Sequence, residues 1–158
     1  MPVAPSHWIT LHLMPSAAGL EIRIRAPFYE DPPPPDVAPG PVEGLWEHEV
    51  VELFISGPGE RYTEIELSPS GHHLVLQLAG VRQPVARLLD IDFVAKVVDD
   101  QWTGTAQIPA LLLPPEPWRI NATAIHGSGA GRIYLSWVPL PGAAPDFHQP
   151  ALFRAIGD

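Results

Sequence analysis

The chain has 158 residues, 46% hydrophobic and 17% charged, which is enough apolar mass for one buried core and too much for a disordered segment. Its net charge is −9, and Lys96 is the only lysine beside eight arginines, which argues against nucleic-acid and anionic-membrane partners. There is no cysteine, which excludes disulfides, thiolate metal sites and a cysteine nucleophile, and 21 prolines disfavour long helices.

Residues 1–16 lack a charged leader followed by a long apolar run, and no stretch approaches the ~20 apolar residues of a membrane span. The expectation is a soluble, cytoplasmic, single domain over residues 1–158. His7 to Met14 alternates, with His7, Ile9, Leu11 and Leu13 on one face. Leu20 to Ala26 alternates too, with Leu20, Ile22 and Ile24 on one side and Glu21, Arg23 and Arg25 on the other. The two predict a hairpin. Glu30 to Glu43 is acidic and rich in proline, and reads as a crossover loop between sheets.

The stretch from Leu45 to Gly71 predicts a second hairpin. With Gly57-Pro58-Gly59 as its loop, Phe54 lies opposite Tyr62, Glu52 opposite Glu64, and Val50 opposite Glu66. Val51, Leu53, Ile55, Thr63, Ile65 and Leu67 then form the core face, because a one-residue slip would turn every apolar side chain outward. His72 to Ala79 continues as a third strand. The pattern weakens from Val81, and Ile91 to Val98, Trp102 to Ile108, Arg119 to Ile125 and Arg132 to Val138 predict further strands. Ala110 to Leu113 reads as a helical turn and the segment from Pro145 to Phe153 as an edge strand or packed coil. About 8–11 strands with frequent turns and no helical periodicity predict an all-β antiparallel sandwich.

The non-core face of the hairpin carries the candidate chemistry. Directly opposed carboxylates in a sheet repel, and must be answered by a proton, a cation or arginine; Arg23, Arg25 and Arg61 are the candidates. Trp46, Phe54 and Tyr62 share this face with His48, Glu52, Glu64 and Glu66. Aromatic rings that stack on a sugar, beside carboxylates that accept its hydroxyl hydrogens, form a plausible ligand surface. Glycoside hydrolysis needs two carboxyls about 5–5.5 Å or 6.5–9.5 Å apart, which many cross-strand pairs satisfy. His48, His126 and His148 are the histidines that a fold would have to gather for a metal, with Glu52 as a fourth ligand. No HExxH, EF-hand, GxSxG or phosphate-loop motif is present, so no metal and no catalytic residue are assigned. Calcium held by the acidic residues remains compatible with the composition.

Gly44-Leu45-Trp46-Glu47-His48-Glu49-Val50-Val51-Glu52-Leu53-Phe54 resembles the opening motif of an uncharacterised family of small bacterial and animal proteins. The resemblance continues through Glu64 to Leu76, Ala124 to Ser128 and Pro145 to His148. That family looks like a member of the DOMON-like group, which includes the family 9 carbohydrate-binding modules. Those modules share a pattern like Trp46 to Phe54, and an ending like Ser136-Trp137-Val138-Pro139 followed by Phe147-His148-Gln149-Pro150. The resemblance implies an immunoglobulin-like sandwich with a ligand cleft on one sheet, and sugar binding by analogy. Some relatives bind haem through a Met and a His, for which Met14 is the methionine available beside the initiator.

Together these readings predict a non-enzymatic domain that binds a small saccharide or polyol and needs no cofactor. Trp46, Tyr62 and Trp137 are expected to stack; His48, Glu52, Glu64, Glu66 and His126 to contact the ligand; Arg23 and Arg25 to balance charge; Asp146, Phe147 and His148 to lock the C-terminal segment. A sugar-processing or metal-assisted enzyme, a haem protein and a protein-interaction module are the alternatives.

Overall fold

The structure, a computed structural model, describes residues 8–142 and 145–156. His7, expected at the start of the first strand, lies outside them. The chain forms strands β1 (Thr10–Ser16), β2 (Gly19–Pro27), β3 (Val50–Ser56), β4 (Tyr62–Leu67), β5 (His73–Leu78), β6 (Pro84–Ala86), β7 (Asp92–Val98), β8 (Gln101–Pro109), β9 (Arg119–His126), β10 (Ile133–Ser136) and β11 (Arg154–Ala155). The longest helical pieces among the described residues are single 3-10 turns, so none is long and apolar enough to cross a membrane.

Two antiparallel sheets form a sandwich. One has the order β1-β2-β8-β7, the other β10-β9-β3-β4-β5-β6, with β11 pairing to β9 beyond the end of β10. The proline-rich loop carries the chain from β2 in the first sheet to β3 in the second, as its composition predicts. Strand alternation fills the space between the sheets. Leu20, Ile22 and Ile24 of β2 meet Val51, Leu53 and Ile55 of β3 and Ile65 and Leu67 of β4, all buried. Burying each such side chain fully is worth about 1.5–3 kcal/mol.

The β3–β4 pairing differs from the sequence expectation by two residues. Ser56 faces Tyr62, Phe54 faces Glu64, and Glu52 faces Glu66, so Glu64 is not opposite Glu52. The loop is therefore five residues long rather than three. A shift of two keeps every side chain on its predicted face, so hydrophobic alternation cannot detect it. At Gly57, a loop residue in either register, a Cβ would lie 2.3 Å from the Pro115 carbonyl oxygen, so this end of the loop is pressed against another segment.

The second correction concerns the outer face of β3, β4 and β5. It was expected to be the non-core face, yet it is buried as well. Phe54, Tyr62, Leu74, Leu76 and Ile125 form a second apolar cluster with Leu45, Phe147 and Phe153. Phe153 lies 5.8 Å from the Phe54 ring and 6.3 Å from that of Tyr62, centroid to centroid. The C-terminal segment thus lies over the sheet and takes its outer face out of water.

Removing the Phe153 ring leaves a cavity under this cover. Phe153→Ala is expected to destabilise the protein by about 3–5 kcal/mol, whereas Val94→Ala, at an exposed site, changes stability by less than about 0.5 kcal/mol. Urea denaturation of the two variants measures both.

Candidate functional site

Glu52 points outward from β3, and Glu64 and Glu66 from β4, because strand side chains alternate and the intervening positions face the core. Their exposures are 2%, 4% and 0%. One carboxylate oxygen from each lies within 4.8 Å of the others. Glu52 accepts a 3.0 Å hydrogen bond from Thr123 Oγ1, on the neighbouring strand β9. Glu64 Oε2 lies 3.7 Å from His148 Nε2. Neither carboxylate oxygen of Glu66 has a hydrogen-bond partner among the described residues.

Burial dominates the ionisation of all three. It raises the pKa of Glu52 to about 7 against a hydrogen bond from Thr123 and the field of Arg132. It raises that of Glu64 to about 8, with the charge of Glu52 adding. Glu66 is pushed well above the ordinary value by burial and by the nearby Glu52, Glu64 and Glu43. No arginine among the described residues forms an ion pair with the triad. Arg87 is the nearest influence on Glu64 and Glu66, but its guanidinium is clamped in two hydrogen bonds to Glu43 at 2.7 and 2.6 Å.

Above Glu52 and Glu64 opens a cleft of about 410 Å³. Leu76, Ile125 and Phe147 supply apolar walls, while Arg82 and Arg87 stand at one side. Trp46 and Tyr134 line it with exposures of 41% and 45%. Arg132 ties the backbone of the Trp46 turn to the ring of Tyr134. It donates to the carbonyls of Trp46 and Glu47 in the 3-10 turn Leu45–Glu47, and its Nε donates to Tyr134 Oη at 3.1 Å with the guanidinium over that ring.

His148 closes the cleft. The Arg82 backbone N–H donates to Tyr62 Oη at 3.1 Å, and Tyr62 Oη shares a 2.7 Å hydrogen bond with His148 Nδ1. Burial and the charge of Arg82 lower the His148 pKa, which favours the neutral ring, and its Nε2 faces Glu64. Asp146 accepts from Arg82 at 2.7 Å and from the His148 backbone N–H at 3.1 Å. Asp146, Phe147 and His148 therefore lock the C-terminal segment, and Phe147 and His148 also line the cleft.

Several expected ligand contacts lie elsewhere. Trp46 is in the cleft, but on a 3-10 turn rather than a strand. Tyr62 is buried, with its hydroxyl committed to His148 and Arg82, so it offers no stacking face. His48 Nδ1 donates to the Pro33 carbonyl at 2.7 Å, and His126 stacks on Tyr29 with centroids 3.9 Å apart; both anchor the crossover loop. Trp137 lines a separate apolar groove with Leu11, Leu13 and Leu53, under the guanidinium of Arg154. The histidines His48, His126 and His148 do not converge. Arg23 and Arg25 lie on β2 in the opposite sheet, bound to Glu21 at 2.7 Å and Gln101 at 2.9 Å, so they cannot balance the triad.

Sequence reasoning missed Tyr134, Arg132, Arg82 and Arg87 at the cleft, since none belongs to the 45–71 hairpin. It also missed Glu49, which accepts the backbone N–H groups of Tyr29 and Glu30 at 2.9 and 3.1 Å and so ties the crossover loop to the start of β3.

No protein-family model matches the chain. A zebrafish (Danio rerio) protein, "UPF0462 protein C4orf33 homolog", is 40% identical over 154 residues, spanning 92% of this chain and 78% of that one. The human "UPF0462 protein C4orf33" is 38% identical over 156 residues, spanning 94% and 78%. In fold, the chain is similar to the crystal structure of a "putative carbohydrate-binding protein" from Bacteroides uniformis, with a TM-score of 0.62 and 19% identity over 85% of this chain and 70% of that one.

The raised carboxyl pKa values set the sign of a pH effect. In the unfolded chain each carboxyl ionises near its ordinary value of 4.5, below its value in the folded protein. Folding therefore takes up protons above that pH, and the triad's contribution to stability falls as pH rises from there through the folded values. The melting temperature is expected to decline between about pH 5 and pH 8, and less steeply in Glu66→Gln, which lacks one of the ionisations. Thermal denaturation followed by circular dichroism across that range checks both slopes.

Proposed function

The chain belongs to the UPF0462 family, and we propose that it is a binding domain whose acidic cleft takes a small saccharide or polyol. The observation that carries this reading is the pairing of an acidic floor with two aromatic rings at the mouth. Glu52 and Glu64 lie at the bottom of the cleft, while Trp46 and Tyr134 stand exposed at its edge, with Arg132 bound to the Tyr134 hydroxyl and to the Trp46 carbonyl.

A sugar has an apolar C–H face and a ring of hydroxyls. A flat aromatic ring covers the first, and carboxyl oxygens accept from the second. A cleft of about 410 Å³ falls in the range of small-molecule sites and is too small for a long polymer segment. Fixing the Tyr134 ring before the ligand arrives reduces the entropy lost on binding. The carbohydrate-binding description of the Bacteroides uniformis protein agrees with this reading, although a likeness of 19% identity extends to the fold alone. Trp137, Tyr62, His48 and His126 have no part in it. We read residues 1–158 as one DOMON-like, immunoglobulin-like domain meeting its ligand in the cytoplasm.

A second reading rests on Glu64. Its pKa of about 8 keeps a carboxyl protonated at neutral pH beside Glu52, as a general acid in glycoside hydrolysis requires. Turnover of chromogenic glycosides would support it, and inert behaviour towards a broad panel would remove it.

For the binding reading, calorimetry against monosaccharides, disaccharides and polyols is the direct test. At least one member is expected to bind the wild type. Trp46→Ala should weaken that binding by about tenfold, equivalent to about 1.4 kcal/mol. A panel that gives no heat with wild-type protein removes the proposal.

A further inference from the structure

We propose that Glu52, Glu64 and Glu66 form a binding site for one hard divalent cation of the calcium type. This goes beyond saccharide binding and stands on the carboxyls alone.

Two independent observations meet here. The first is geometric: three carboxylate oxygens, one per residue, lie within 4.8 Å of one another on adjacent strands. Calcium binds oxygen at about 2.3–2.6 Å, so two oxygens up to that far apart can flank one ion with little movement. Magnesium, at about 2.0–2.1 Å and strict octahedral geometry, would need the strands or side chains drawn closer. The second is that Glu66 is fully buried, aims a carboxylate into this cluster, and has no hydrogen-bond partner for either oxygen among the described residues. A buried carboxylate without hydrogen bonds or a counter-charge is costly, and natural proteins rarely leave one unexplained.

The surroundings favour an ion over an arginine or a softer metal. Arg87 is held by Glu43, Arg82 by Asp146, and Arg132 by the Leu45–Glu47 turn and Tyr134, so none is delivered to the triad. His148 Nε2 lies 3.7 Å from Glu64 Oε2, but the side chains whose ligand atoms gather within 4.8 Å are the three glutamates. Those donors are carboxylate oxygens, and the chain has no cysteine, which suits a hard cation rather than a soft metal. Thr123 Oγ1 steadies Glu52, as an outer partner of a ligating carboxylate does. The cleft above Glu52 and Glu64 leaves the remaining coordination positions open to water.

The test is calorimetric titration of chelator-stripped protein at pH 8 with calcium, magnesium and manganese chlorides, alongside melting curves. One equivalent of calcium is expected to bind and raise the melting temperature. Glu66→Gln should weaken calcium binding at least tenfold while folding normally, since it replaces the buried carboxyl by a neutral group of the same size; Glu52→Gln serves in its place if it does not fold. Absence of both heat and stabilisation with calcium overturns the proposal. So does an unchanged affinity in a folded Glu66→Gln or Glu52→Gln, or tighter binding of magnesium than of calcium. Sugar titrations repeated with calcium and with chelator separate the two sites' fates. Calcium binding without any sugar binding leaves the cation site standing and removes the saccharide reading; sugar binding without calcium binding does the reverse.

Discussion

Three carboxyl groups share one almost wholly buried patch of sheet, two of them at the floor of a cleft. That constraint shapes the molecule around it. Like charges on adjacent strands repel, and burial strengthens the repulsion because little solvent remains to screen it. The protein does not bring arginine to the triad. It leaves the carboxyls to hold protons, at pKa values raised into and beyond the neutral range. What keeps the patch buried is apolar: Phe147 and Phe153 lie over Phe54 and Tyr62, and the area they remove from water opposes the cost of the acids beneath.

The cleft above the acids is assembled from distant parts of the chain. The turn Leu45–Glu47 brings Trp46, strand β10 brings Tyr134, the β5–β6 region brings Arg82, and the C-terminal segment brings Phe147 and His148. Arg132 joins two of these parts. One guanidinium satisfies the carbonyls at the end of the 3-10 turn, which have no partner of their own in so short a helix, and also fixes the ring of Tyr134. Tyr62 joins two others, through Arg82 on one side and His148 on the other. The Tyr134 ring and the backbone of the Trp46 turn thus share one support.

The fold and the site carry separate kinds of information. Two antiparallel sheets with a shared core are an architecture that hosts many functions, and 19% identity to a solved neighbour adds nothing about ligands by itself. The crossover loop illustrates the distinction. Its anchors, Glu49, His48 and His126, looked like site residues or passed unnoticed, but they hold a connection in place. Among the acids of β3 and β4, Glu52 bonds to Thr123 of the same sheet and Glu66 has no hydrogen-bond partner among the described residues, so none of the three ties down that loop.

The amino-acid sequence alone determined the strands, their alternation and the face on which Glu52, Glu64 and Glu66 lie. Hydrophobic burial acts on every second residue, so these properties are written locally. It also determined the crossover and the placement of Trp46 near the acids. It did not determine the β3–β4 register, because a shift of two residues preserves every face. Nor did it show that the outer face is covered, that Arg23 and Arg25 belong to the opposite sheet, or that Tyr134 and Arg132 complete the cleft. Those outcomes depend on which strands become neighbours and where the C-terminal segment returns. Such contacts join residues far apart in the chain, and no local periodicity records them.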